Sequence, residues 1–164
     1  MSTQRESVEK VRGIADYQFG IGSGEALFSD GVRIVYSRRT GKIKYIYEGE
    51  VLLATLRPLD GYLSLTLAGA EKLIRNLPQP RYFVKVSDEA APFVAKGGNV
   101  FAKYVEDVDV ELRPRDEVIV LDSKCRVIAV GKAVLSGVEM KKFRYGVAVN
   151  TRRGVLERKI KKNP

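Results

Sequence analysis

A chain of 164 residues, 45% hydrophobic, is long enough to bury a core as one domain or two small ones, and its formal charge of +9 with a pI near 9.7 points to an acidic polymer as partner, nucleic acid before membrane. With no histidine and one cysteine, Cys125, it lacks the commonest general base and zinc ligand, the serine–histidine and cysteine–histidine triads, and any internal disulfide framework. No apolar run reaches the roughly 18 residues of a membrane span, and the polar start MSTQRESVEKVRG is unlike a secretory signal, so a cytoplasmic protein is expected.

Residues 4–17 carry Val8, Val11, Ile14 and Ala15 at helical spacing and predict a helix. Next comes Gly20-Ile21-Gly22-Ser23-Gly24. Its N–H groups would suit a phosphate, but no strand of the required type precedes it and no Lys-Ser/Thr pair completes a P-loop, which favours a flexible turn. Four short runs follow: Val32–Ser37, Lys42–Glu48, Val51–Leu56 and Tyr62–Leu67, separated by turn chemistry at 39–41, 48–50 and 58–61. In 42–48, Ile43, Tyr45 and Tyr47 alternate with Lys42, Lys44, Ile46 and Glu48, as in an antiparallel meander with one buried face. The tip 37–42 holds Arg38, Arg39 and Lys42, which fit either ordinary turn polarity or phosphate contacts. Residues 68–77 fit a short helix, and Leu77-Pro78-Gln79-Pro80 interrupts it and marks a domain boundary.

The second half reads differently. Residues 81–86 predict a strand. Ser87 or Asp88 then caps a short helix with Pro92 in its first turn, and Gly97 or Gly98 supplies the left-handed residue that stops it. Residues 99–105 predict one strand, with Val100, Ala102 and Tyr104 on one face and Asn99, Phe101, Lys103 and Val105 on the other. Beside Lys96 and Lys103 the glycine turn is either a helix end leading into a core strand or a cradle for an RNA backbone. Strands follow at 117–121 and 126–135. A basic segment spans 139–144, and final strands are expected at 145–149 and 153–157. Short strands at regular spacing with few helices indicate a compact β-barrel.

Charge is uneven. From Lys141 to Pro164 nine basic residues face one acid, Glu157, so this stretch carries +8 of the chain's +9. The carboxylates Glu106, Asp107, Asp109, Glu111, Asp116 and Glu117 are the obvious acid–base candidates, but nothing in the local sequence encloses them. A solvated acidic loop is expected, and no spacing matches a calcium loop. Tyr45, Tyr47, Phe83, Phe101 and Phe143 are candidates to stack on bases, although strand aromatics usually belong to a core.

Taken in order, a strand, a small helix ending at Gly97-Gly98-Asn99-Val100, the segment NVFAKYV, a proline turn before DEVIVLD, and RVIAVGKAVLSGVEM resemble a PUA domain, the RNA-binding fold of pseudouridine synthases and archaeosine transglycosylases. ADYQFGIGSGEALF, SRRTGKIKYIY and LLATLRPLDGYLSLTLAGAEKL precede it in the order found in the C-terminal region of archaeal tRNA-guanine transglycosylases. The resemblance spans roughly residues 14–157. Those enzymes keep their nucleophilic aspartates and zinc site in a separate catalytic barrel. This chain has no room for that barrel, and one cysteine without histidine does not build its zinc site.

The expectation is therefore an α+β protein: a small domain with an antiparallel sheet (1–78), a PUA-like β-barrel (79–157) and a basic tail (158–164). The resemblance implies RNA binding through Lys96, Gly97, Gly98, Asn99, Val100, Phe101 and Lys103, with Arg152 and Arg153 near the last strand. Arg38, Arg39 and Lys42 add a second basic group. No catalytic residue, metal or cofactor is expected. The partner is RNA, tRNA or another structured RNA. The alternative is a detached, non-catalytic subunit of a tRNA-modifying enzyme.

Overall fold

The computed structural model describes residues 2–157, so the expected tail at 158–164 lies outside the described residues. The chain divides into two compact units between Arg81 and Tyr82.

In the first unit, helix α1 (Ser2–Phe19) buries Val8, Val11, Ala15 and Phe19 along one stripe. A short helix α2 (Ser23–Leu27) follows. Strands β1 (Arg33–Tyr36), β2 (Ile43–Glu48), β3 (Val51–Leu56) and β4 (Leu63–Leu65) then form an antiparallel meander in sequence order. The row Ile34, Ile46, Ala54 and Leu65 runs across all four strands and is buried. The neighbouring row Val35, Tyr45, Thr55 and Ser64 therefore faces the other way. The Gln18 side-chain amide bonds both the N–H and the carbonyl of Leu63, each at 2.8 Å, and so pins α1 to β4.

The run expected at 62–67 is shorter because Thr66 leaves the strand to cap helix α3 (Leu67–Asn76), its hydroxyl accepting the Gly69 N–H at 3.0 Å. Gly69 permits this docking, since a Cβ there would stand 2.1 Å from the Leu53 carbonyl oxygen. Lys72 of the same helix is buried, and its ammonium pairs with the more exposed Glu48 at 2.7 Å.

The second unit is a nearly closed six-stranded barrel with strand order β6-β10-β9-β8-β5-β7. The strands are β5 (Phe83–Val86), β6 (Val100–Phe101), β7 (Val105–Val108), β8 (Glu117–Leu121), β9 (Val127–Ala133) and β10 (Val147–Gly154). Only β5 and β8 pair in parallel. Val84, Val86, Val94, Val100, Val118, Val120 and Ala148 fill the interior.

The strand expected over 99–105 is broken. A 3₁₀ turn, Ala102–Tyr104, separates β6 from β7, and these lie at opposite edges of the sheet order. The four steps from Phe101 to Val105 span at most about 14 Å. A flat sheet of this order would hold its edges about 24 Å apart. The turn therefore requires the sheet to curl, and buried Ala102 donates its N–H to the Gly146 carbonyl, extending the β6–β10 pairing into the turn.

Two further expectations change. The basic segment 139–144 belongs mostly to helix α5 (Gly137–Lys142), started by a reciprocal cap in which Ser136 and Glu139 bond each other's backbone N–H. The final strands expected at 145–149 and 153–157 are one strand, β10. Its polar centre, Asn150-Thr151-Arg152-Arg153, stays in the sheet and pairs with β9 through an irregularity between Thr151 and Arg153.

Candidate nucleic-acid interface

Helix α4 (Ala91–Ala95) has Pro92 in its first turn, but its N-cap is Ala90 and no side chain caps it. The Ser87 carbonyl accepts the N–H groups of Ala90 and Ala91 and its hydroxyl accepts the Ala90 N–H at 3.4 Å, while Asp88 accepts the Ser123 hydroxyl. Ser87 thus holds the turn that leads into the helix, and Asp88 takes no capping role. The helix ends at Gly97, whose φ of +104° favours glycine. Gly98 does not need that conformation. The Phe93 ring lies over it, 2.2 Å from where a Cβ would stand.

The end of β10 is laid against this turn. A Cβ on Gly154 would meet the Ala95 carbonyl oxygen at 2.3 Å, and the Leu156 N–H donates to that same oxygen at 2.7 Å. The Asn99 side chain accepts the Thr151 N–H at 3.0 Å. Lys96, Gly97, Gly98, Asn99, Arg152 and Arg153 thus belong to one neighbourhood. Lys103 does not. It follows β6 toward Gly146, at the other end of β10, about 23 Å from Gly154 along that strand. Its ammonium lies 4.9 Å from the centre of the Tyr104 ring.

The side chains differ in what they can offer a ligand. Val100 is fully buried in the barrel core, so its side chain is not a surface contact. Phe101 is partly exposed and Lys96 is exposed. Arg152 is committed inward, its guanidinium holding both carboxylate oxygens of Glu117 at 2.9 and 2.5 Å. Glu117, expected in a solvated acidic loop, is instead buried in β8, where this fork pairs its charge. Glu106 and Asp107 are exposed, as that expectation requires. Asp109 accepts the N–H groups of Tyr82 and Glu111, and Asp116 that of Arg113, so both serve as turn anchors. Arg153 is the freer of the two arginines. It is 44% exposed in its side chain and 3.6 Å from Glu157.

In the first unit the glycine loop is already filled by its own chain. One Asp16 carboxylate oxygen accepts the N–H of Gly22 at 3.2 Å and that of Gly24 at 2.7 Å. The groups that would hold a phosphate hold Asp16. Gly24 also packs on α1, where a Cβ would meet the Arg12 carbonyl oxygen at 2.4 Å. The loop is an ordered joint between α1 and α2.

Arg38, Arg39 and Lys42 are all exposed at the β1–β2 tip, a turn closed by Ser37 N–H to Lys42 carbonyl at 2.7 Å and Gly41 N–H to Ser37 carbonyl at 2.8 Å. They border a groove of about 1070 Å³ between this tip, the first half of α1 and the β3–β4 turn. Lys10, Lys44 and Arg57 also line it. These three were not singled out from the sequence, because they come from three separate elements. Tyr45 lines the groove, whereas Phe143 is exposed in the second unit, with no aromatic partner among the described residues. Among the described residues no group of three or more acidic or cysteine side chains is arranged to hold a metal. No described helix is long and apolar enough to cross a membrane.

Residues 9–80 match the family profile of the patch-forming domain C2 of tRNA-guanine transglycosylase, and residues 82–155 match the PUA domain. The tRNA-guanine(15) transglycosylase of Methanothermobacter thermautotrophicus is 44% identical over 154 residues, which is 94% of this chain and 24% of that protein. The Pyrococcus furiosus protein of the same name is 43% identical over 157 residues, 96% of this chain and 26% of the relative. The chain thus spans about a quarter of the length of these relatives. Among solved structures, a hypothetical protein from Pyrococcus horikoshii OT3 has a TM-score of 0.76 at 19% identity, covering 93% of this chain and 92% of its own. A conserved PUA domain protein from Thermoplasma acidophilum has a TM-score of 0.65 at 20% identity, covering 92% of this chain and 89% of its own. Both share the fold. With its two units matching these two domain families in succession, the chain is a PUA-domain protein similar to the C-terminal region of archaeal tRNA-guanine transglycosylases.

Proposed function

We propose that the chain is a cytoplasmic RNA-binding protein without catalytic activity of its own, which holds tRNA or another structured RNA through its PUA unit. The observation that carries this reading is the seating of the basic end of β10 against the Gly97 turn. It puts exposed Lys96 and Arg153 beside the two glycines, which are covered only by the side chains of Glu157 and Phe93 among their nearest neighbours. Cations beside a glycine turn whose covering side chains can swing aside offer a phosphodiester chain charge and close approach to backbone. Gly97, Gly98, Lys96 and Arg153 make the contacts, Asn99 and Arg152 hold the last strand in place, and Phe101 and Lys103 extend the surface along β6 and β10. Arg38, Arg39 and Lys42 add contacts from the first unit.

A second reading has one observation in its favour. The relatives are about four times longer than this chain and are named for a transglycosylase activity. The chain then acts as a detached RNA-holding subunit of a separately encoded tRNA-modifying enzyme. Titration of folded tRNA at two salt concentrations tests the first reading: tight binding at low salt that falls steeply with added salt supports it. Binding that is absent at low salt, or indifferent to salt, overturns it. A purified chain that captures a catalytic subunit, and gives base exchange only with it, selects the second.

A further inference from the structure

We propose that the groove of the first unit is a site for an unpaired RNA segment, with a base seated on the Tyr45 ring and its phosphates held by the surrounding cations. This rests on the RNA-binding reading but concerns a different surface and a different RNA feature. Val35, Tyr45 and Thr55 stand opposite one another across β1, β2 and β3. All three line the groove and form its floor, since the adjacent row, Ile34, Ile46 and Ala54, is turned into the core. An aromatic in the middle of a sheet floor is a stacking platform of the kind on which single-stranded bases are held.

The walls supply charge of one sign. Lys10, Arg38, Arg39, Lys42, Lys44 and Arg57 line the groove against one acid, Glu6. The first five make no salt bridge among the described residues. Arg57 is tied to Asp60, at 3.1 Å, yet its Nη1 is buried and has no hydrogen-bond partner among the described residues. Lys44 lies 5.0 Å from the centre of the Tyr45 ring, so cation and aromatic are neighbours on one strand. At about 1070 Å³ the groove lies at the upper end of ligand-site volumes, which suits a short run of nucleotides better than a lone anion.

Unpaired RNA is favoured over duplex RNA because its bases are free to leave the stack, and over an acidic peptide because of the tyrosine floor. The test uses the full chain and a labelled, unstructured oligouridylate, followed by fluorescence anisotropy beside folded tRNA. Tyr45→Leu is expected to weaken oligouridylate binding about tenfold, while Tyr45→Phe retains it. Arg38→Ala with Arg39→Ala, at an exposed tip where folding is undisturbed, gives a similar loss. Lys124→Ala, at an exposed turn of the second unit away from the glycine turn, leaves oligouridylate binding unchanged. Oligouridylate binding that ignores the Tyr45 and Arg38/Arg39 variants, or that an oligoglutamate displaces equally well, overturns the groove proposal. In that case folded-tRNA binding that still depends on Arg153 leaves the PUA reading standing. The reverse result, groove-dependent oligouridylate binding with no binding of tRNA, sinks the PUA reading and keeps the groove.

Discussion

The Glu157 carboxylate lies over Gly97. Its Oε1 stands 2.6 Å from the point a Cβ would occupy there and accepts the Gly154 N–H at 2.9 Å, while Oε2 is 3.6 Å from the Arg153 guanidinium. In the free protein a negative group already sits where a phosphate would meet the glycine turn. Replacing Glu157 by Gln is expected to raise affinity for folded RNA about threefold, the scale of an exposed charge interaction. Titration at one fixed salt concentration checks this. An equal gain from Glu111→Gln, which has no contact with the turn, would mean that only net charge had changed.

Arg152 and Arg153 are neighbours in sequence with unlike tasks. Arg152→Ala leaves the Glu117 carboxylate buried without its fork and is expected to destabilise the second unit by about 3 kcal/mol, at the low end for a broken buried pair because Arg152 keeps some solvent contact. Replacing Glu117 and Arg152 together by leucine recovers most of the loss. Arg153→Ala leaves stability within about 0.5 kcal/mol and lowers RNA affinity. Thermal unfolding of the four proteins separates these outcomes, and an Arg152→Ala protein as stable as the wild type would contradict the assignment.

Two glycines near the turn predict opposite results. In Gly98→Val the added Cβ first meets the ring of Phe93, which is 56% exposed and free to swing aside, so the protein is expected to fold while tRNA binding is lost. Gly154→Ala meets backbone at Ala95 and Gly97 and is expected to lower stability by about 1–3 kcal/mol. Far-ultraviolet circular dichroism and denaturant melts distinguish a blocked surface from a damaged fold. If Gly98→Val binds tRNA as well as the wild type, the contact lies elsewhere.

Two carboxyls are held below their ordinary values, Glu48 by the hydrogen bond from the Lys72 ammonium and Asp122 in the turn after β8, and the second is the more local to test. Burial raises the Asp122 pKa, but hydrogen bonds from the Arg126 backbone, the Arg126 side chain and the Lys124 backbone outweigh it and hold the carboxyl below its ordinary value of 3.8. A depressed carboxyl stabilises the fold above its unfolded pKa, and the contribution fades as pH falls through the lower folded value. Asp122→Asn is therefore expected to lower stability at neutral pH and to flatten the loss below about pH 4. Melts between neutral and strongly acidic pH check the slope, and an unchanged acid limb would remove Asp122 from the explanation.

The meander was legible from its turns, each with its own chemistry, but its buried face was not: Ile43, Tyr45 and Tyr47 read as the apolar side of β2, while Ile46 of the other side enters the core. Strands 51–56 and 117–121 have the expected bounds because turn residues close each apolar run at both ends. The failures share a cause: long-range pairing decided what local polarity could not. Arg152 reads as a break in a strand until Glu117, 35 residues away, is placed beneath it. Residues 99–105 read as one strand because nothing local shows that β6 and β7 belong to opposite edges. The α5 start was readable from Ser136-Gly137-Val138-Glu139, a sequence with the spacing of a reciprocal cap. The groove was not, since Lys10, Lys44 and Arg57 meet only once the sheet has folded.

The three-residue turn that stitches β6 to β7 also bears on the thermodynamics of recognition. A sheet fastened edge to edge by so short a link has little freedom to open around a guest. An RNA seated on the second unit would meet a backbone held in place by the sheet, with side chains such as Glu157 to displace rather than strands to open. Association is expected to be fast and governed by ionic atmosphere, with a small heat-capacity change, because little additional apolar area leaves water.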